Sequence, residues 1–423
     1  MLKFSTKRGW NYYYSSKDNR IRPLSCEYKE QHEGKHAYVS SDEYILNRIS
    51  MFTIEVTQQC NLRCKYCCYS GAYDDRREHS SNRLSTIDTY KCVDFIGDNI
   101  DKDSPQITIC FYGGEALLAK DTINTIIQEL KTRFPLINFV FSISSNGVLL
   151  NKSNIDWIAI TPNLQIVITI DGDKLMHDKN RLMIDGSGSY DRIMHNIKLF
   201  YDNYPDLYYE KVHFISTVNS IRDLIKLNTF WMDHELLKHN RPRHISSIIP
   251  NFSKGETIKS DEKSFVAFYE AAINSYFNGE ENILTDELNR FINIIKHRHL
   301  SIAAPSQEFI TCMHKPYSAF ITSEGNIYVC ERMIADNHIG TLSEGIELNK
   351  CRELNMRFTA RKNSHCSSCW AKRLCRICAM NLNNTEEQFI QYCESERMQL
   401  KLALQYYCEI LEHNKCVNYK SNV

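Results

Sequence analysis

Cys60, Cys64 and Cys67 are spaced CxxxCxxC. Three thiolates on one loop can hold three irons of a cubane and leave the fourth iron open to an exogenous ligand. A structural zinc site would want a fourth protein ligand. Cys68 could supply one, but neighbouring residues do not easily turn both side chains to one ion, so we read it as a small residue packed beside the site. A second field follows far downstream. Cys312, Gly325 and Cys330 form Cx12Gx4C, Cys366, Cys369, Cys375 and Cys378 form CxxCx5CxxC, and Cys393 lies fourteen residues on. Paired CxxC motifs suggest a zinc ribbon, but the five-residue spacer is short for one, and seven cysteines exceed one zinc site.

The cysteine count supports the same chemistry. Of 17 cysteines in 423 residues, four lie between Cys60 and Cys68, eight between Cys312 and Cys393, and five elsewhere. That is too sparse for a disulfide scaffold, and an odd number argues against complete pairing. Clustering of this kind in a reducing compartment points to metal or catalysis. Lysine plus arginine balances aspartate plus glutamate, 51 against 51, with no long like-charge block, so nucleic acid is not the expected partner. The apolar runs are too short to span a bilayer, and the first residues lack the apolar core of a secretion signal. We therefore expect a cytoplasmic protein with no membrane partner.

The elements that must position these residues read as βα units. β-rich runs at 52–57, 107–112, 139–144, 164–170, 212–217 and 244–249 alternate with longer amphipathic stretches, the pattern of a parallel sheet. Ile123, Ile126, Ile127 and Leu130 recur at helical spacing, with Asp121 as the expected N-cap and Pro135 as the stop. Residues 10–14 and 21–24 flank a turn at Lys17, Asp18 and Asn19, which predicts a small hairpin that either caps the barrel or offers an edge to an extended peptide. Around Phe265, Phe268, Tyr269 and Ala272 a helix bridges to the cysteine-dense region. Near the C-terminus Leu400, Leu404, Tyr407 and Leu411 form a stripe with Cys408 beside it, and packing accounts for Cys408. The expected units are a hairpin extension at 1–50, a barrel at 51–250, a helical bridge at 251–305 and a loop-rich domain at 306–423.

CxxxCxxC with Tyr66 just before its last cysteine resembles the signature of radical S-adenosylmethionine (SAM) enzymes. Gly113, Gly114 and Glu115 at the end of the second strand look like that family's GGE motif, whose backbone approaches the methionyl amino group of SAM. Ser145 and Asn146 look like the segment contacting the SAM ribose, and Asp171 ends the fourth strand. Arg181 is similar in placement to an arginine facing the SAM carboxylate, with a surface salt bridge as the alternative. Ligands at the carboxyl ends of parallel strands are the rule in such sheets. The resemblance implies an α/β fold, a partial (β/α)6 TIM-like barrel, over 52–249.

The second field is similar to the SPASM extension of these enzymes, departing from it by one residue between Cys375 and Cys378. By that resemblance Cys366, Cys369, Cys375 and Cys393 hold one auxiliary 4Fe-4S cluster, and Cys312, Cys330 and Cys378 another, three clusters in all. The second of these lacks a fourth ligand. Cys351 is the one unassigned cysteine in the field, and its helix-like surroundings favour packing. Glu331 stands where sulfatase-maturating relatives place a proton-accepting carboxylate, or else pairs with Arg332. The resemblance implies a peptide maturase that takes hydrogen from a precursor-peptide residue and forms a crosslink or thioether, drawing electrons from a reductase, flavodoxin or ferredoxin. An anaerobic sulfatase-maturating, formylglycine-generating enzyme is the alternative within that class, and a zinc-binding interaction protein the alternative outside it.

Overall fold

The computed structural model describes residues 1–25, 37–40, 48–73, 77–248, 256, 261–300, 306–309, 317–333 and 335–420. Cys312 and the end of the expected strand at 244–249 lie outside them.

The chain opens with β1 (Leu2–Ser5), β2 (Asn11–Ser15) and β3 (Arg20–Pro23). They form an antiparallel sheet of order β1-β2-β3, so the expected hairpin gains a third strand. Asn19 takes the left-handed turn, φ 60°. A short β4 (Ala37–Ser40) follows.

The main sheet begins at β5 (Met51–Thr57) and continues through β6 (Ile107–Gly113), β7 (Phe139–Ser145), β8 (Leu164–Thr169), β9 (Val212–Val218) and β10 (His244–Ser247). These six strands pair in parallel in sequence order. Between them run α1 (Thr86–Asn99), α2 (Lys120–Arg133), α3 (Lys152–Ile160), α4 (Lys174–Asp178), α5 (Tyr190–Asn203), α6 (Pro205–Lys211) and α7 (Asp223–Asp233). Burial alternates along β6, β7 and β8. One face, with Ile109, Phe111, Phe141, Ile143, Ile166 and Ile168, is fully covered, while the residues between them, Cys110, Ser142 and Val167, are half-buried. The sheet is open, not a closed barrel.

Ile123, Ile126, Ile127 and Leu130 of α2 are fully buried, as their spacing requires. The expected cap is displaced, however. A 3-10 turn at Ala116–Ala119 runs straight into α2, so Asp121 sits inside the first turn and Ala119 holds the cap position without a side-chain bond.

Beyond α8 (Glu262–Phe277) and α9 (Ile283–Lys296) come β11 (Ser306–Phe309), β12 (Ser318–Ile321), β13 (Asn326–Tyr328), β14 (Gly340–Thr341), β15 (Gly345–Ile346), α10 (Leu348–Cys366) and α11 (Glu386–Lys420). β12 pairs in parallel with β5, Phe320 opposite Thr53, and antiparallel with β13. The sheet of the described residues thus runs to ten strands. β11 likewise pairs with β4, tying the N-terminal extension to the C-terminal region.

The N-terminal sheet rests on α11. Thr6 Oγ1 and Tyr12 OH donate to Glu412 Oε1 at 3.1 and 2.9 Å, and the Lys7 amide donates to Glu409 Oε1 at 2.9 Å. Tyr14 is fully buried edge-on to Trp370, ring centroids 6.2 Å apart. These contacts of the sheet run to α11 and to the second cysteine field. Along α11, Leu400, Leu404 and Cys408 are buried, but Leu411 is 43% exposed. The helix buries a second row, Leu402, Tyr406 and Ile410, because α8, α9 and β1 all pack on it. Among the described residues no helix is long and apolar enough to cross a membrane.

Candidate functional site

The CxxxCxxC loop leaves β5 at Thr57 and is strapped on both sides. On one side the Gly114 amide donates to the Thr57 carbonyl and the Glu115 amide to the Gln59 carbonyl, both at 2.8 Å. A Cβ on Gly113 would lie 2.0 Å from the Thr57 carbonyl oxygen, and one on Gly114 2.1 Å from that of Gln59. The two glycines are needed because backbone meets backbone there. On the other side Arg63 and Lys65 donate their amides to the carbonyls of Leu182 and Asn180 at 2.7 and 2.9 Å. That contact brings Arg181 to the loop.

Glu115 is fully buried and its partners come from its own chain. Its carboxylate accepts from Ser145 Oγ at 2.8 Å, the Asn146 amide at 2.7 Å and the Leu117 amide at 3.1 Å. Burial pushes its pKa up, and these donors and Arg181 oppose that rise. Asn146 in turn donates from Nδ2 to Asn61 Oδ1 at 2.7 Å and approaches Cys60 Sγ at 3.8 Å. The ends of β6 and β7 thus fix the first cysteine.

Tyr66 OH donates a short bond to Asp171 Oδ2 and accepts from Arg181 Nη1 at 2.8 Å. Asp171 Oδ1 accepts from the Thr217 amide at 2.7 Å. Arg181 is buried, which excludes the surface salt bridge, and its Nε has no hydrogen-bond partner among the described residues. Burial works against its charge, but Cys64, Tyr66 and Asp171 more than offset that and its pKa stands well above the ordinary value. Behind it the Asp171 amide donates to His177 Nδ1 at 3.3 Å, and Nε2 meets Ser189 Oγ, which donates to the Arg181 carbonyl at 2.8 Å. Burial pushes His177 down to about 2, so the ring is neutral.

The thiols suit a shared cluster. Cys60 Sγ accepts from the Leu62 amide and Cys67 Sγ from the Tyr69 amide, both at 3.4 Å. Such N–H···S bonds are a lever on cluster potential. Burial raises Cys60 to about 11 and Cys64 above its usual range, so both are protonated until metal displaces the proton. The Cys68 thiol hydrogen-bonds to that of Cys67 and faces Tyr112. Three cysteines, an arginine with an unused donor and a buried carboxylate fit a cluster with an amino-acid ligand on its open iron. Among the described residues no three side chains converge on a single ion, and cubane ligands need not, since each binds a different corner.

A cavity of about 1370 Å³ opens from Cys64, Lys65 and Tyr66 and extends past Asn180 to Phe265, Phe291 and Gln399 of the C-terminal helices. In the second field Cys366, Cys369, Cys375 and Cys393 line one small cavity of about 60 Å³ together with Lys372 and Arg397. Burial raises Cys375 to about 12 and Cys393 to about 11, and Lys362 pulls against it at both. Cys330 is brought within electrostatic reach of Cys378, which is exposed. Cys351 is buried in α10 and pushed to about 11 by burial, with Glu347 adding to the rise, in keeping with packing. The Glu331 carboxylate stands 3.8 Å from Arg332 Nε and is partly open to solvent.

Two residues of this region carry no motif. Glu55 is fully buried in β5, and a glutamate inside the run MFTIEVT was its visible signal. Arg77 gave none, lying in a polar stretch.

Residues 54–224, which hold the CxxxCxxC loop and the strand ends described above, match the Radical SAM superfamily model, so this part of the chain is a radical SAM domain. Among curated proteins the chain is similar to the cysteine-type anaerobic sulfatase-maturating enzyme of Clostridium novyi (strain NT), 27% identical over 71% of this chain and 78% of the relative. It is also similar to the radical SAM cyclopropyl synthase TigE of Paramaledivibacter caminithermalis, 24% identical over 37% of this chain and 34% of the relative. Among solved structures, anSMEcpe with bound AdoMet and Cp18Cys peptide superposes with a TM-score of 0.64 at 17% identity, covering 86% of this chain and 99% of that one.

Proposed function

We propose that this enzyme is a peptide maturase that takes a hydrogen atom from a precursor-peptide residue and closes a crosslink or thioether. The observation that carries this reading is the cavity of about 1370 Å³, whose walls run from Cys64 and Tyr66 to the C-terminal helices. It exceeds the roughly 300–1,000 Å³ of ordinary small-molecule pockets and suits a peptide segment. Bound at Cys60, Cys64 and Cys67, a reduced 4Fe-4S cluster with SAM supplies a 5′-deoxyadenosyl radical, the hard chemistry that side chains cannot provide.

The chain's own residues bind and orient. Arg181 Nε is free to meet the SAM carboxylate, with Tyr66 and Asp171 fixing the guanidinium. Gly113, Gly114, Glu115, Ser145 and Asn146 hold the loop and the strand ends that would bind the rest of SAM. Cys366, Cys369, Cys375 and Cys393 hold one auxiliary 4Fe-4S cluster, and Cys312, Cys330 and Cys378 the other, as a SPASM domain would. Glu331 would accept the proton released as the substrate radical closes, and the centres held by these C-terminal cysteines would take up the electron. Electrons arrive from a flavodoxin, ferredoxin or reductase in the cytoplasm.

The second reading, oxidation of a protein cysteine to formylglycine, is favoured by the Clostridium novyi relative, which is named a cysteine-type anaerobic sulfatase-maturating enzyme and is covered over 78% of its length. Anaerobically reconstituted protein with dithionite and SAM should yield 5′-deoxyadenosine and contain about 12 irons per chain with matching sulfide. Offered a cysteine-containing sulfatase peptide and, separately, a short peptide encoded beside the gene, it should modify the second. Formylglycine in the first would install the other reading, and zinc without sulfide would remove both.

A further inference from the structure

We infer that Arg77 is a positioning residue that fixes the Cys330–Glu331 turn against the radical-generating loop, an inference that rests on the function proposed above. The guanidinium lies between two rings, 4.3 Å from the Phe320 centroid and 5.6 Å from that of Tyr69. Nη1 and Nη2 each donate to the Glu331 carbonyl at 3.2 Å, and Nη2 also reaches the Met333 carbonyl at 3.4 Å. Nε stands 3.7 Å from Glu55 Oε2, with the arginine side chain 18% exposed and the glutamate 0%. Arg77 therefore touches the turn after Cys330 from the barrel side.

Glu55 carries the contact to the loop. Its Oε1 accepts from Gln58 Nε2 at 2.9 Å and from Ser323 N and Oγ at 3.1 and 2.7 Å. Oε2 accepts from Tyr69 OH. The Tyr69 amide is the donor to Cys67 Sγ. One buried ion pair thus connects the last cysteine of the first motif, the β12–β13 turn and the backbone beside Cys330.

The network serves geometry, since a radical formed at the first loop must meet Glu331 and the centre at Cys330 at a fixed separation. A planar guanidinium can serve two carbonyls, a carboxylate and two ring faces at once, whereas a lysine ammonium cannot. A strand pairing of β12 with β5 alone would leave the turn at 330–333 free to pivot about its hairpin. Arg77 removes that freedom.

The test compares Arg77→Met, which keeps the apolar stem, with Arg77→Lys and Glu55→Gln in full-length reconstituted protein. Amide exchange at 331–333 should quicken by about tenfold or more in Arg77→Met, since charged hydrogen bonds to two carbonyls are lost. Glu55→Gln should do so to a smaller degree, and covers the case in which Arg77→Met does not fold. In a background with Cys60, Cys64 and Cys67 changed to alanine, the electron paramagnetic resonance signal of the C-terminal centres should shift in Arg77→Met, with Arg77→Lys partway back. Wild-type exchange and an unshifted signal in folded Arg77→Met or Glu55→Gln overturn the inference. Wild-type protein that fails to cleave SAM overturns the proposed function instead, and leaves the exchange measurement to decide on Arg77.

Discussion

Gly114→Ala is the sharpest test of how the first cysteine loop is held. The added Cβ would lie 2.1 Å from the Gln59 carbonyl oxygen, 2.5 Å from its carbon and 2.7 Å from the Gln58 carbonyl oxygen, all backbone atoms that cannot rotate away. Contacts to a Cβ do not fall below 3.0 Å, so the loop must retreat. A retreat of roughly 1 Å, just before Cys60, is of the size that can cost about a hundredfold in rate. The overpacking itself costs about 1–3 kcal/mol. For a chain of this length that lowers Tm by only about 1–3 °C, so melting is a poor assay. The informative measurements are 5′-deoxyadenosine formation from SAM without peptide and iron per chain. Gly279→Ala is the control, because Gly279 has φ +73° and nothing within 4 Å of the added Cβ. It should lose about 1 kcal/mol from backbone strain and no SAM cleavage. Gly114→Ala with wild-type iron and wild-type SAM cleavage would refute the strap.

Four further outcomes are expected. His177, held at about 2 by burial, stays neutral in the fold but protonates below 6.5 when unfolded. Stability should therefore fall with pH through that window by up to about 1.4 kcal/mol per unit, about 2 kcal/mol at pH 5. Urea unfolding of wild type and His177→Gln at pH 7 and pH 5 checks this, and a difference between them that does not change with pH counts against it. Lys211 Nζ donates to the carbonyls of Ile158, Thr161 and Leu164 at 3.0, 2.8 and 3.3 Å, so Lys211→Met should cost about 2–3 kcal/mol in denaturant unfolding. Cys393→Ala should lower iron by about four per chain and leave SAM cleavage intact, whereas Cys64→Ala should abolish cleavage. The ammonium of Lys362, buried and opposing the rise in thiol pKa at Cys366, Cys375 and Cys393, should stabilise the reduced form of that centre. Lys362→Met should move its midpoint, read by redox titration, to a more negative potential.

The cysteine spacing and the order of the six parallel strands could be read along the chain. Cysteine spacing is local, and a cluster on one loop needs little beyond that loop. Alternating burial along β6, β7 and β8 and the stripe of α2 are likewise written in nearby residues, so the six parallel strands were legible to within a residue or two. The ends of elements were less so: Asp121 has the chemistry of a cap, but a preceding 3-10 turn started the helix before it. Only the tertiary structure decided how the two cysteine fields meet. The pairing of β12 with β5 is made by backbone groups that leave no side-chain signature, and joins segments far apart in the chain. The same holds for the N-terminal sheet on α11, whose glutamates read as ordinary helix surface until Thr6, Lys7 and Tyr12 reach them. Arg77 stands in a polar run where arginine is unremarked. Its place between Tyr69 and Phe320, with Glu55 behind it, exists only once the hairpin has closed on the sheet, because a guanidinium becomes a fixed strut when its neighbours exclude water and occupy its donors.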